Sequence, residues 1–582
     1  MLQTESIALP DPGEPAARAG TGGGSPATLT VAGLVVAAFF VAFGALHYGF
    51  YTHDLLQDTP LYERYGDAIV HGGQMPYRDF AVEYPPGALP VFAAPSLFAA
   101  AGDFARYREL FEALMLVCGG VASALVGIVL TRQRAGTRRL VAGTLLAGLA
   151  PLALGPVVLS RFDLWPAMLT IAGLAALVGD RRRLGAVLLG CAVAAKLYPA
   201  VVLPHGLVHV WRRAGRRTAL VWAGIAAGTV LAWFLPFLVV APHGIWASLA
   251  GQAGRPLQIE TLGAAFLLGA HQAWGLSLTA ASSHGSDNLA GSLPHALALL
   301  QAVLAPAAIV GIWVAYARGE AGRERLLRHA AAAICAFVVL GKVLSPQYLV
   351  WLIALVPLVR GRRGAAASAL FVAAMVLTQL WFPQHYLGLA YGFDARASWL
   401  VLARDLALVA LLVTLVAPER RGRRLARSLA VALTVAAAAA SVAAGARLAS
   451  SSALARTGLL DETGAASTCA RAKPVPTTSP GTVRYALSAF GPSVAASCVT
   501  ITVRPLGGEQ LFAAAYRGSF DPARPTQGYL GDLGTCTNTS KRPPRFSFRV
   551  PAGERFVVEV EQCGSSADKP QYELDVRRTS RR

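Results

Sequence analysis

Long apolar runs separated by short arginine clusters constrain this chain more than any other feature. Residues 29–50 and 429–448 form two such runs, and several more lie between them. A helix needs about 20 consecutive apolar residues to cross the hydrocarbon core of a bilayer. Only 14% of the residues are charged, whereas an average soluble domain has about 25%. The pattern therefore predicts an all-α polytopic membrane protein.

The arginine clusters predict the topology. They occupy residues 132–139, 181–183, 212–217, 318–328, 360–363 and 420–427. Lys and Arg accumulate in the cytoplasmic loops of membrane proteins. If all the clusters are cytoplasmic, the chain makes about 13 crossings, with the N-terminus in the cytoplasm and the C-terminus outside. The clusters also explain the net charge of +20, so we predict no nucleic-acid partner.

The composition divides the chain into three parts. Residues 1–28, rich in Gly, Ala, Pro and Ser, are predicted to be a disordered cytoplasmic tail. Residues 29–448 form the predicted transmembrane module, whose first external loop is 51–109. Residues 449–582 form the predicted extracytoplasmic domain.

Two apolar stretches are too short or too interrupted for ordinary crossings. Residues 86–101 hold three prolines, and we predict an interfacial or re-entrant segment there. Residues 184–195 and 199–210 are shorter than a span of about 20 residues. We predict that they form a broken pair whose turn, at Lys196-Leu197-Tyr198, lies within the membrane, where irregular backbone is tolerated only beside a cavity.

Strand-like runs separated by Pro and Gly clusters predict a small β-sandwich in the C-terminal domain. The runs are residues 497–504, 510–516, 545–550, 555–560 and 571–576. Four cysteines of this domain, Cys469, Cys498, Cys536 and Cys563, predict two disulfides in an oxidising compartment. All three pairings of four cysteines remain open at this stage.

Ionisable residues on the predicted outer side are the candidate site. Asp58, Asp79 and Glu83 lie in the predicted first external loop, where a shielded carboxylate can act as a general base, although a single carboxylate in such a loop is more often a solvated charge. Lys196 and Lys342 interrupt apolar sequence, and Arg161, Arg255, Arg396 and Arg404 lie in the predicted outer half. Outer cations oppose the positive-inside trend, and a membrane-embedded phosphate would explain them. The alternative is that they snorkel to the outer head groups.

The order of the motifs resembles that of the GT-C superfamily of membrane glycosyltransferases. Within it, the chain is similar to glycosyltransferase family 87, the polyprenyl-phosphate-mannose-dependent α-mannosyltransferases of actinobacteria. The resemblance covers roughly residues 29–418. The matching pieces are Asp58-Thr-Pro-Leu-Tyr62, Gly73-Gln-Met-Pro-Tyr77, Glu83-Tyr-Pro-Pro86, Gly190-Cys-Ala-Val-Ala-Ala-Lys-Leu-Tyr-Pro199, Gly254-Arg-Pro-Leu-Gln-Ile-Glu-Thr-Leu262 and Lys342-Val-Leu-Ser-Pro-Gln-Tyr348.

The resemblance implies an enzyme of the plasma membrane that uses neither a metal nor another cofactor. Its donor would be a polyprenyl-phosphate sugar, with mannose favoured over arabinose or another pentose. Its acceptor would be a lipid-linked or cell-envelope glycan, reached among the membrane lipids of the outer leaflet. Asp58 matches the position of the catalytic base of an inverting transfer. The remaining expected roles are donor-phosphate binding by Lys196, Arg255 and Lys342, and substrate binding by Tyr62, Glu83, Tyr84, Gln347 and Tyr348.

Two other functions fit part of the sequence. A lipid or sugar transporter would also have many spans, but it would usually carry a duplicated hydropathy pattern, and none is evident. A non-catalytic envelope scaffold would explain the external domain but not the external acids that face outer cations. Asp79 and Glu83 remain rivals of Asp58 as the base.

Overall fold

The structure, a computed structural model, describes residues 58–417 apart from residue 156 and, with gaps, residues 31–42 and 454–580. The predicted tail 1–28 and the predicted crossing 429–448 lie outside the described residues, and the predicted crossing 29–50 is described only in part.

The described part of the transmembrane module is mostly helical, as the apolar runs predict. Its α-helices are Thr59–Val70, Leu89–Ser96, Phe104–Arg132, Thr137–Leu154, Val157–Ser160, Leu164–Val178, Arg182–Ala195, Leu203–Val240, Pro242–Ala253, Leu262–Trp274, Ser292–Arg318, Arg323–Leu340, Val350–Ile353, Gly361–Gln379, Tyr386–Gly392 and Ala395–Val416. Short 3-10 helices occupy Pro86–Ala88, Tyr198–Val202, Pro346–Leu349 and Val356–Leu358.

Four of the described helical segments are long and apolar enough to cross a membrane. They are Phe104–Arg132, Tyr198–Val240, Ser292–Arg318 and Ala395–Val416. In Tyr198–Val240 only 6% of the most apolar stretch is buried inside the protein, so its leucines and valines face outward. Such a surface suits lipid rather than water, which supports a membrane protein. The number of crossings stays a prediction.

The predicted broken pair is interrupted where the sequence indicated. The helix Arg182–Ala195 ends at Lys196, whose backbone is extended, and a 3-10 helix begins at Tyr198. Pro199 favours this break because its nitrogen carries no hydrogen to donate. A second break lies inside Leu203–Val240 at Gly215, where φ is +83°, within the arginine cluster 212–217.

Two further apolar stretches are interrupted and do not form continuous helices. Residues 348–359 divide among the 3-10 helix Pro346–Leu349, the helix Val350–Ile353 and the 3-10 helix Val356–Leu358. Prolines at 346 and 357 remove backbone donors and prevent one regular helix. Residues 140–159 are split at Gly155, where φ is +79°, between Thr137–Leu154 and Val157–Ser160.

The segments predicted to be external contain more regular structure than the sequence indicated. The first external loop begins with the helix Thr59–Val70, and residues 86–101 contain only one turn of 3-10 helix and the eight-residue helix Leu89–Ser96. A hairpin of β1 (Thr279–Ser283) and β2 (Ser286–Ala290) follows the helix Leu262–Trp274. His284 and Gly285 both have positive φ at its tip, as the favoured two-residue hairpin turns require.

The C-terminal domain forms two antiparallel sheets, and the predicted β-structure there is confirmed. One sheet has the order β10 (Tyr572–Ser580), β5 (Ser497–Pro505), β8 (Arg545–Val550). The other has the order β3 (Leu454–Leu460), β4 (Thr478–Phe490), β9 (Phe556–Gln562), β6 (Leu511–Arg517), β7 (Tyr529–Asp532). Strands β3, β4 and β7 were not predicted.

Buried side chains from both sheets form one hydrophobic cluster, including Val499 and Phe548 from the first sheet and Phe512 and Val558 from the second. Two disulfides pair Cys469 with Cys498 and Cys536 with Cys563. The prediction of two disulfides is confirmed, and one of the three possible pairings is selected.

Candidate functional site

The start of the first external helix leaves the Asp58 carboxylate available for long-range contacts. Asp58 is the N-cap of Thr59–Val70, but its side chain makes no capping hydrogen bond. Arg161 Nη1 lies 2.6 Å from Asp58 Oδ1, and the Tyr62 hydroxyl donates to Asp58 Oδ2 at 3.4 Å. Because the Asp58 side chain is 34% exposed, the carboxylate is held in place but accessible.

An aromatic cluster packs next to the Asp58 carboxylate. Tyr62 stacks on Phe92 with 4.6 Å between ring centroids, and Tyr84 meets Phe162 edge to face at 4.9 Å. Burial raises the pKa of Tyr62 well above its ordinary value, and the nearby charges of Tyr84 and Asp58 add to the effect. The Tyr62 hydroxyl therefore stays protonated as a hydrogen-bond donor to Asp58. The predicted substrate contacts Tyr62 and Tyr84 thus lie beside the predicted base.

Lys196 is paired with a carboxylate that sequence reasoning missed. Lys196 Nζ donates to Asp163 Oδ1 at 2.7 Å, and the Trp351 indole N–H donates to the same oxygen at 2.6 Å. The Lys196 side chain is 16% exposed. An ammonium group has three donors, so Lys196 can contact Asp163 and still offer donors to an anion.

Aromatic rings surround the Lys196 ammonium. Its Nζ lies 4.7 Å from the centroid of Phe162, 5.3 Å from that of Trp351 and 5.6 Å from that of Tyr348. Tyr348 stacks on Trp351 at 4.1 Å between centroids. These rings attract a cation electrostatically and bring the predicted substrate residue Tyr348 next to Lys196.

Arg255 and Glu83 lie together at another part of the site. Arg255 Nη1 donates to Gln252 Oε1 at 3.3 Å, and Gln252 Nε2 donates to the Glu83 carbonyl at 3.4 Å. Surrounding protein atoms displace water from the Glu83 carboxylate and raise its pKa, whereas the charge of Arg255 lowers it. The charge of Asp58 also acts on Glu83, so both carboxylates belong to one electrostatic site.

Asp79 is engaged by its own neighbours. Arg78 Nε lies 2.9 Å from Asp79 Oδ1, and the Met75 N–H donates to Asp79 Oδ2 at 2.8 Å. The hydrogen bond from Arg78 is the main reason why the pKa of Asp79 falls to about 2. Asp79 is therefore a local surface charge in these contacts, whereas Asp58 pairs with a cation from a distant segment.

Gln258 joins two of the sequence motifs. Its backbone N–H donates to the Lys342 carbonyl at 3.1 Å, and its Oε1 accepts from the Leu344 N–H at 2.9 Å. Its Nε2 donates to Ser345 Oγ at 3.0 Å. The segment that carries Lys342 is thereby fixed to the segment that carries Arg255. Gln347 is partly buried in the 3-10 helix Pro346–Leu349 that follows.

Glu260 is the carboxylate of the segment Gly254–Leu262, and only 2% of the residue is exposed. Burial raises the pKa of Glu260 to about 8, against the opposing charge of Arg404. Arg404 Nη2 donates to the Glu260 carbonyl at 2.6 Å, and Arg404 Nε lies 2.6 Å from Asp405 Oδ1. Arg404 and Asp405 are fully buried, so this outer cation anchors the motif rather than meeting substrate.

Asp163 and Gln258 were not predicted as residues of the site, and Arg161 was predicted only as an outer cation, not as the partner of Asp58. Arg161 and Asp163 carried a usable signal, since two charges interrupt apolar sequence on the predicted outer side. Gln258 lies in the matching piece Gly254–Leu262, but nothing in that piece distinguished its role from those of its neighbours. Among the residues that the structure describes, no three His, Cys, Asp or Glu side chains are grouped to hold a metal ion.

Part of the chain matches the model of a known protein family. Residues 82–346 match the model of glycosyltransferase family 87. That region contains Glu83, Tyr84, Lys196, Arg255 and Lys342. Asp58 and Tyr62 precede it, and Gln347 and Tyr348 follow it. The match confirms the resemblance to this family that was drawn from the sequence motifs.

The cryo-EM structure of arabinosyltransferase EmbB from Mycobacterium smegmatis is a structural match at 13% sequence identity with a TM-score of 0.31. The alignment covers 95% of this chain and 64% of EmbB, so the chain spans less than two thirds of that protein's length. No curated protein sequence matches the chain.

Proposed function

We propose, because residues 82–346 match the model of glycosyltransferase family 87, that the protein transfers a sugar from a polyprenyl-phosphate carrier to a lipid-linked or cell-envelope acceptor. The sugar is mannose by the family resemblance. The reaction takes place at the outer face of the plasma membrane, inverts the anomeric centre and uses no metal.

The observation that carries this proposal is the pairing of charges on one short segment. Arg161 holds Asp58, and Asp163, two residues later, holds Lys196. A candidate base and a candidate cation for a phosphate are therefore held by neighbouring positions of the chain. A transfer from a sugar phosphate needs these two groups together.

The chemistry follows from the roles of the two groups. The acceptor hydroxyl gives its proton to Asp58 while its oxygen bonds to the anomeric carbon. The bond from that carbon to the phosphate oxygen breaks, and the electron pair leaves with the phosphate. Lys196, with Arg255 and Lys342, stabilises the charge that develops on this oxygen. One displacement with one base gives inversion.

The proposed topology puts this site and the C-terminal domain on the same side of the membrane. In this topology the N-terminus is cytoplasmic, the chain crosses the membrane about 13 times, and the C-terminal tail is external. The two disulfides of the tail support an oxidising, extracytoplasmic location. We propose that the two sheets form a sandwich that docks the acceptor or an envelope partner.

The experiment uses membranes that contain the full chain and a radiolabelled mannosyl polyprenyl phosphate. We expect label to move into a lipid or envelope fraction, at the same rate in wild type and in the control Asp180→Asn. Asp180 forms an ion pair with Arg323, both side chains are 43% exposed, and neither residue takes part in the contacts of the site.

Carriers with arabinose and other pentoses identify the sugar in the same assay. If the labelled carrier crosses sealed vesicles without losing its sugar, the protein is a transporter. If no carrier loses its sugar and none crosses the vesicle membrane, the protein is a non-catalytic scaffold and not an enzyme.

A further inference from the structure

The segment Arg161-Phe162-Asp163 contacts both halves of the proposed reaction centre. We infer that this tripeptide is a positioning element that sets the distance between Asp58 and Lys196. The inference rests on the proposed function, because it takes Asp58 as the base and Lys196 as a ligand of the leaving phosphate. None of the three residues belongs to the motifs that carry the family resemblance.

Arg161 provides the contact to the base. Its side chain is 8% exposed, and its Nη1 lies 2.6 Å from Asp58 Oδ1. The backbone beside it is tied to the same external helix, since Thr59 Oγ1 donates to the Ser160 carbonyl at 3.3 Å. Two neighbouring contacts therefore hold the start of the tripeptide against residues 58 and 59.

Asp163 provides the contact to the cation. Its side chain is 2% exposed, and its Oδ1 accepts from both Lys196 Nζ at 2.7 Å and Trp351 Nε1 at 2.6 Å. Trp351 comes from a different helix, Val350–Ile353. The indole N–H fixes the carboxylate oxygen on which Lys196 rests, so the ammonium position depends on Asp163.

Phe162 keeps the two ends from moving independently. The residue is fully buried, and its ring meets those of Tyr62 at 5.7 Å, Tyr84 at 4.9 Å and Phe92 at 5.2 Å between centroids. A buried ring in close packing cannot shift without displacing its neighbours. The tripeptide is thus a rigid spacer with one charge of each sign.

The required spacing follows from the geometry of displacement. A base lies about 2.6–3.2 Å from the hydroxyl oxygen that it deprotonates, and that oxygen approaches the anomeric carbon at about 3–3.5 Å. The base therefore lies about 6 Å from the carbon, with the phosphate beyond it. A base and a ligand of the phosphate must therefore be held at a defined separation, and the tripeptide contacts both of them.

The inference is tested by the kinetics of the purified full chain with a labelled polyprenyl-phosphate donor. We expect Arg161→Gln to lower kcat about 10–100-fold with the donor KM within about twofold, because Arg161 acts through the base. We expect Asp163→Asn to raise the donor KM about tenfold, because it acts through Lys196. Asn retains an acceptor for Trp351 but removes the charge that holds Lys196.

A double-mutant cycle separates positioning from general stability. If Asp163 acts only through Lys196, then Asp163→Asn adds less than about a twofold loss in a Lys196→Gln background. The charge-conserving variants Arg161→Lys and Asp163→Glu should recover part of kcat and KM respectively. If Arg161→Gln or Asp163→Asn does not fold, Arg161→Lys and Asp163→Glu are used in its place. Unfolding temperatures are measured for every variant, with Arg323→Gln as the control that leaves both parameters unchanged.

Equal losses in kcat and KM for both variants, with multiplying effects in the double mutant, would overturn the spacer role while leaving the enzyme intact. Absence of transfer by the well-folded wild type with every carrier would instead overturn the proposed function and, with it, the spacer.

Discussion

Gln258 Nε2 donates to Ser345 Oγ at 3.0 Å, although the two residues are 87 positions apart. With the bonds to Lys342 and Leu344, this contact makes Gln258 the connection between two motif segments. Such a side chain fixes the relative position of the two segments that carry the proposed phosphate-binding residues Arg255 and Lys342.

Replacing Gln258 should therefore lower both the stability of the folded chain and the rate of the reaction. Gln258→Leu removes the amide and leaves the Leu344 N–H and Ser345 hydroxyl without this partner, at a cost of about 1–3 kcal/mol for each buried group left unpaired. We expect donor kcat/KM to fall about tenfold or more. Steady-state kinetics with the labelled carrier measures this.

The matched control for that substitution is Gln133→Leu. Gln133 follows the helix Phe104–Arg132 within a predicted cytoplasmic cluster, and it should tolerate the change with unaltered kinetics. Equal behaviour of the two variants would contradict the role of Gln258.

Glu260 predicts a pH dependence of stability. Its pKa is raised from an ordinary value of 4.5 to about 8 by burial, so folding favours the neutral acid. The contribution of the neutral Glu260 carboxyl to the free energy of unfolding is complete below about pH 4.5 and is lost as the pH rises through about 8. Arg404 opposes this shift, while Asp405 and Asp287 add to it.

Unfolding temperatures in detergent between pH 5 and pH 9 measure that dependence. Glu260→Gln should remove a decline that wild type shows over this range, whereas Glu324→Gln, at a side chain 41% exposed, should retain it. A Glu260→Gln curve parallel to that of wild type would show that Glu260 does not titrate in this range.

The two disulfides predict that the stability of the C-terminal domain depends on their oxidation. The pairs close loops of 29 and 27 residues in sequence separation, and removing such a bridge costs about 2–4 kcal/mol. We expect Cys469→Ser to speed proteolysis of the domain in the full chain, without affecting the transmembrane module.

Peptide mapping under non-reducing conditions checks the pairing directly. It should find Cys469 joined to Cys498 and Cys536 joined to Cys563, while Cys118, Cys191 and Cys335 remain thiols. A Cys498–Cys536 peptide would exclude this arrangement.

The membrane class, the helical character and the C-terminal strands were predictable because they depend on local hydrophobic pattern. A run of about 20 apolar residues has few alternatives to a helix in a bilayer. The break at Lys196 was also predictable, since the adjacent apolar pieces were short and Pro199 follows. The hairpin β1–β2 was missed because its Ala and Ser residues lack the β-branched and aromatic pattern of a strand.

The contacts inside the site were not predictable from one sequence. Asp58 was chosen on family resemblance, and its partner Arg161 lies more than a hundred residues away, where pairing depends on how helices pack. The partner of Lys196 was missed for the same reason. Sequence indicated which residue types gather on the outer side, but tertiary packing decides which charges neutralise one another.

The most direct test of the central claim compares Asp58→Asn with Asp79→Asn in the transfer assay. Both substitutions keep the size of the side chain and remove its basicity. Asp58 pairs with Arg161 at the site, whereas Asp79 pairs with Arg78 in its own loop. We predict that Asp58→Asn lowers kcat by about 10²–10⁴-fold and that Asp79→Asn stays within about twofold of wild type. Wild-type transfer by Asp58→Asn would contradict the assignment of the base and direct attention to Glu83.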